Sequence, residues 1–148
     1  MSRPVLPDAE ATVIGWLKGC PGITAVVSQR IHARFPDQVT MPAIRVTRVG
    51  GAPDDPWRDT PQIQVDCWAD PQRDQQAQQL AGLVCAHVDE LRGHRGDGSV
   101  IVAPHIINGP LLREDDQTGQ PSYLVEIGYE HFPGSTNGPS TSSSNATR

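Results

Sequence analysis

Asp54, Asp55, Asp59, Asp66 and Asp70 crowd into seventeen residues of this chain. Carboxylates gathered in this way can hold magnesium and activate water against a phosphodiester. Sites of that kind usually add a lysine nearby, and Lys18, the only lysine, stands in a helical segment far upstream. The acids also have local uses. Asp54 and Asp55 suit a turn between prolines, and Asp70 before Pro71 suits a helix start, with a capping carboxylate and a proline at the first helical position. A small metal-dependent hydrolase built on Asp54–Asp70 is therefore the alternative reading and not the favoured one.

The other reactive residue types yield no constellation. His87 and His94 lie seven apart, without the Cys-x-x-Cys or His-x-x-x-His pair that would bring four zinc ligands together. Cys20, Cys67 and Cys85 are odd in number and widely spaced, and read as reduced, small apolar residues. Cys67 falls on the apolar side of its segment, where a nucleophile would lack both base and access. The RGD at 95–97 is explained by a turn between Gly93 and Gly98, and the NAT at 145–147 is a chance sequon. There is no phosphate-binding loop and no nucleophile elbow. The expectation is a protein that is not an enzyme, with no cofactor and no metal.

Bulk properties agree. A length of 148 residues gives one domain with a sizeable core, and a net charge of −5 argues against a general nucleic-acid binder. The start "MSRPVLPDAE" lacks the apolar run of a signal peptide, and no stretch is apolar enough to span a membrane.

The elements that would carry any site follow from periodicity. Asp8 caps a helix with Val13, Ile14 and Leu17 on one side and Trp16 beside them, which Gly19 and Pro21 stop. "ITAVVSQRIHARF" holds two β-branched runs and at least one strand. "MPAIRVTRVGG" is a strand with Ile44 and Val46 on one face and Arg45 and Thr47 on the other, ended by Gly50 and Gly51. "GGAPDDPWRDTP" reads as a long polar loop. "PQIQVDCWAD" alternates Ile63, Val65 and Cys67 with Gln62, Gln64, Asp66 and Trp68. After Asp70–Pro71, Ala77, Leu80, Ala81, Val84, Val88 and Leu91 recur at helical steps, and Gly93 ends that helix. "SVIVAPHII" is a further strand, and "PLLRE" and "YLVEIGYEHF" form an antiparallel pair across "DDQTGQPS". Residues 133–148, rich in Ser, Thr and Gly, read as a disordered tail. The fold class expected over 1–132 is α+β, a mixed or antiparallel sheet with two main helices on one face.

A sheet covered on one face leaves its other face and its edges needing a partner. The uncovered faces combine Arg, Tyr, Trp and Gln with β-branched neighbours, as interfaces do. Trp57 and Arg58, side by side in the acidic loop, are the two residue types most often found as binding hot spots. That loop is expected to be irregular and mobile in the free subunit and to order against a neighbour, with Trp57 as a lid over the sheet edge the bland alternative.

An N-terminal helix, "MPAIRVTRVGG", a long acidic loop, "IQVDCWAD", "QQAQQLAGLVCAHVDEL" and a C-terminal strand pair, in that order, resemble the tail terminator proteins of long-tailed (siphovirus-type) bacteriophages over about residues 8–132. The resemblance implies a subunit of a ring, a hexamer, that sits on the last ring of the tail tube, stops its polymerisation and meets the head connector or stopper protein. It implies a virion protein assembled in the host cytoplasm, with DNA only passing through the lumen and no membrane partner. It supplies no catalytic residues. The loop at 50–61 is expected to touch neighbours, and the contact residues read from loop and strands together are Arg45, Gly50, Gly51, Asp54, Asp55, Trp57, Arg58, Gln64, Asp66 and Trp68. Small tail-completion and head–tail joining proteins share the outline, so the role within the neck stays open.

Overall fold

The structure, a computed structural model, describes residues 5–55, 57–94 and 99–133. The RGD turn and the tail from 134 onward lie outside the described residues. The architecture is α+β: a seven-stranded mixed sheet with helices on one face.

Helix α1 (Ala9–Lys18) begins where expected, with the Asp8 carboxylate accepting from the Ala11 amide at 3.1 Å. It buries Val13, Trp16 and Leu17. Pro21 does not merely stop it; it opens α2 (Pro21–Val27), because a proline fits the first helical turn. The β-branched run in "ITAVV" is thus helical. Ile23 and Val27, four apart, both enter the core, and that packing outweighs a modest propensity penalty. The strand expected in this region is short, β1 (Ile31–His32), parallel to β2 (Ala43–Gly50).

The acidic connection holds regular structure. Strands β3 (Pro53–Asp55) and β4 (Arg58–Asp59) form a small hairpin, and a sequence dense in glycine and proline masked it. Gly51 makes the entry possible: its φ is +83°, and a Cβ there would run into the Thr60 carbonyl. Strand β5 (Gln62–Trp68) then continues the line of β4 along the same edge of β7 (Pro121–Phe132), with Asp59 opposite His131 and Gln62 opposite Gly128 in one unbroken register. Pro61, which has no amide hydrogen to donate, marks the gap between them.

The helix after β5 starts later than the Asp70–Pro71 pair suggests. Asp70 and Pro71 initiate a turn in which the Asp70 carbonyl accepts from the Arg73 amide at 3.0 Å and Gln72 has φ +70°. Proline second and a positive φ third define a type II turn, so the pair bends the chain and does not cap a helix. Helix α3 (Asp74–His87) follows and runs into a 3-10 turn (Val88–Leu91). All six residues of its apolar stripe are buried.

The last expected elements merge. Strand β6 (Val100–Glu114) is one long strand paired with β7 throughout, not two. It absorbs Pro104 and Pro110 through three register shifts of one residue each, which fall between Val102 and His105, Ile106 and Asn108, and Asn108 and Leu111. The third uses Gly109, at φ +100°, where a Cβ would strike the Leu124 carbonyl. The core lies between the helices and the inward residues of β2, β5 and β7, including Ile44, Val46, Ile63, Val65, Val125 and Ile127.

Candidate assembly surface

The sequence-derived contact residues fall into two groups on the sheet. Arg45, Gln64, Asp66 and Trp68 stand on the face away from the helices, because β2 and β5 pair with Arg45 opposite Asp66 and Thr47 opposite Gln64. Asp66 is not a free surface acid. It is buried, with the Arg45 guanidinium 3.3 Å away and the Gln64 amide donating to both its oxygens at 3.1 Å. Arg45 in turn lies against the Phe35 ring, 5.9 Å from its centroid. Trp68 is half-buried. This patch is an ordered polar network, and it forms one wall of an open cleft of about 500 Å³ whose other wall is the β6–β7 turn, from Arg113 through Gln117. The Nε of Arg45 and the indole nitrogen of Trp68 are buried with no acceptor.

The second group is the β3–β4 hairpin with its glycine entry. Gly50 ends β2 opposite Gln62, and Gly51 turns the chain outward. Arg58 meets Asp54 at 2.9 Å, Asp55 at 3.9 Å and, across to β7, Glu130 at 3.3 Å. It is therefore a clamp holding the hairpin to the sheet and not a spare cation. Trp57 is 61% exposed, and its amide donates to the Asp55 carboxylate at 2.8 Å. It does not fold down as a lid. The two groups are joined through the sheet but do not form a single patch.

The acid cluster proposed for a hydrolase does not converge. Asp54 and Asp55 pair with Arg58, Asp66 with Arg45, and Asp59 is fully buried in a bidentate pair with Arg48 at 2.6 and 2.8 Å. Asp70 lies exposed in the turn before α3. The Cys67 thiol is buried between sheet and helices, and burial pushes it well above its ordinary range, which leaves it unreactive.

One apolar feature was missed in sequence. Ile106, Ile107, Leu111 and Leu112 of β6 are 41–48% exposed, on a strand whose outer edge pairs with no further strand among the described residues, although the Gly93 amide donates to the Ile101 carbonyl at 2.8 Å. A signal existed. Apolar residues in adjacent pairs, Ile-Ile and Leu-Leu, give a strand two apolar faces, whereas a half-solvated strand alternates.

The sequence profile of the family described as "Tail completion protein gp17" covers residues 11–120.

The chain belongs to the tail completion protein gp17 family. Membership places it in a virion tail, in agreement with the tail-terminator resemblance of its sequence. Its fold also matches a chain of the "Virion of native gene transfer agent (GTA) particle", with a TM-score of 0.65 at 12% identity, over 84% of this chain and 95% of that one. At that identity the likeness is one of fold. No curated protein matches the chain in sequence. Among the described residues no helix is long and apolar enough to cross a membrane.

Proposed function

We propose that this tail completion family member acts as a ring-forming tail terminator: it caps the tail tube, ends tube polymerisation and provides the joint to the head connector or stopper. The ring is a hexamer through whose lumen DNA passes, and the chain performs no chemistry. The observation that carries the reading is the exposed apolar edge of β6. Four large aliphatic residues on an open strand are a poor surface for an isolated subunit and a good centre for a subunit contact. Around that centre, the Arg45–Gln64–Asp66 network, with Trp68 beside it, supplies preorganised polar contacts, and Trp57 on the hairpin supplies an aromatic anchor for a neighbour or the tube. The pairing of Asp54, Asp55, Asp59 and Asp66 with arginines favours this reading over the hydrolase.

The experiment is light scattering after size exclusion, on the native chain and on Leu111→Asp and Leu112→Asp. The native chain is expected to form a closed oligomer, alone or on adding tube protein. Each variant should remain a folded monomer and yield, in an infection complementation assay, heads and tails that do not join. A native chain that stays monomeric with tube protein present, or variants that assemble and join normally, would overturn the reading.

A further inference from the structure

We propose that Cys20, His87 and Glu90 form a binding site for a divalent transition metal, with zinc the ion their chemistry suits. One ligand atom from each side chain lies within 4.8 Å of the other two. The three come from different pieces of the helical layer. Cys20 directly precedes α2, His87 is the last residue of α3, and Glu90 belongs to the 3-10 turn that follows. Sequence spacing could not reveal the group, because it joins residues 20 and 87 across the fold. His94, the other histidine near this end of the helix, is not part of it.

The geometry is close to what an ion needs. With zinc bonds of about 2.0–2.3 Å, the edges of a tetrahedral site measure about 3.3–3.8 Å, so separations of at most 4.8 Å close with an inward movement of no more than about 1 Å. The two outer ligands can supply it. The Glu90 side chain is 60% exposed and that of His87 is 26% exposed, while Cys20 is 4% exposed at the base. Glu90 already holds the His87 ring, Oε2 to Nδ1 at 2.8 Å. The other ring nitrogen lies beside Gly22, 3.7 Å from where a Cβ would stand, so the absence of a side chain there keeps that nitrogen uncrowded. The Cys20 thiol rests on the Trp16 carbonyl at 3.3 Å. Exposure increasing from sulfur to carboxylate gives an ion a way in and leaves water access to a fourth position.

The donor set selects the metal. A thiolate, an imidazole and one carboxylate suit zinc and its neighbours in the first transition row, whereas magnesium and calcium take oxygen ligands almost exclusively. Binding forms the metal–sulfur bond and releases the thiol proton to solvent, with no change of oxidation state. The consequence is structural. A metal here would fasten the start of α2 to the end of α3. The proposal is independent of ring assembly, since a monomer would hold the ion equally well.

The test uses the full chain, stripped with chelator and kept reduced, and titrated with cobalt(II) and then with zinc. A thiolate-to-cobalt charge-transfer band, displaced by zinc, is expected. So is a zinc-dependent rise in melting temperature. Cys20→Ser and His87→Ala should each weaken zinc binding by about tenfold or more, while Cys85→Ser and His94→Ala leave it unchanged. If Cys20→Ser does not fold, His87→Ala, at a half-buried side chain, and Glu90→Gln, at an exposed one, decide the matter. Absence of the charge-transfer band, or zinc affinity unchanged in His87→Ala and Glu90→Gln, would overturn the proposal.

Discussion

Asp59 and Asp54 are acids five residues apart with opposite environments. Asp59 is fully buried, and its two oxygens meet the two terminal nitrogens of Arg48. Asp54 is half-exposed and meets Arg58 in solvent. Removing the first partner leaves a guanidinium that is 30% exposed and can turn only partly to water. Asp59→Ala should therefore cost about 2–3 kcal/mol, near the lower end for a broken buried pair, whereas Asp54→Ala should cost under about 1 kcal/mol. Urea denaturation midpoints check both. The buried thiols of Cys20 and Cys67, the half-buried thiol of Cys85 and the buried Tyr129 hydroxyl set a pH limit. Burial is the main cause raising Cys20, Cys67 and Cys85 above the ordinary 9.0, and Tyr129 above the ordinary 10.0. These groups stay protonated in the native state after the unfolded chain has begun to lose its protons. Their contribution is whole below about pH 9 and declines as pH rises beyond it. Melting temperature is expected to fall between about pH 9 and 11, and less steeply in Cys67→Ala after correction for its lost volume. A flat profile over that range would show that the thiols reach solvent.

Helix α3 tests whether its stripe is core or contact. Leu80 and Val84 are buried against the sheet, so truncation leaves cavities. Leu80→Ala should lose about 2–4 kcal/mol and Val84→Ala about 1–3 kcal/mol, read from denaturation midpoints of the free subunit. The β3–β4 hairpin tests the reverse. Trp57 contributes little to its own fold, being largely exposed, so Trp57→Ala should leave the midpoint within about 0.5 kcal/mol. It should cost about 2 kcal/mol or more of assembly energy where the hairpin meets a neighbour. Arg58→Ala is a poorer probe, because losing the link to Glu130 loosens the hairpin itself. Sedimentation of each variant with tube protein separates the two effects.

For the assembled particle, charge and apolar surface pull in different directions. Subunits of net charge −5 repel one another at long range, and that repulsion is screened by salt. Contacts centred on Ile106, Ile107, Leu111 and Leu112 are not weakened by salt. Association should strengthen between about 20 mM and 500 mM sodium chloride, where the Debye length shrinks from roughly 20 Å to about 4 Å. Light scattering across that range is the measurement. Association that weakens instead would mean that ion pairs, such as those available to Asp54 and Asp55, hold the ring.

Local order was legible wherever one physical cause dominated. The Asp8 cap, the stripe from Ala77 to Leu91 and the alternation of Ile63, Val65 and Cys67 each follow from burial at a fixed period, and all stand in the structure as read. Errors came where one residue type serves two purposes. Proline at position 21 could end one helix or begin the next, and Asp70–Pro71 could cap a helix or open a turn. Backbone torsions at the adjacent residues, Cys20 and Gln72, decided between them. The hairpin and the unbroken β6 were hidden because Gly51 and Gly109 permit conformations that propensity counts as breaks. The candidate contacts were legible as residue types but not in their state. Asp66 read as a hydrogen-bonding group of an exposed face and Arg58 as an exposed cation; pairing across strands gave them Arg45 and Glu130 as partners, and Gln64, two residues along the same strand, completes the hold on Asp66. The sequence alone determined the family outline, the helix-covered core and the acidic charge, because these depend on local period and composition. Tertiary structure decided which acids are neutralised, which aliphatic residues remain outside, and that Cys20 meets His87, because each depends on contacts between residues far apart in the chain.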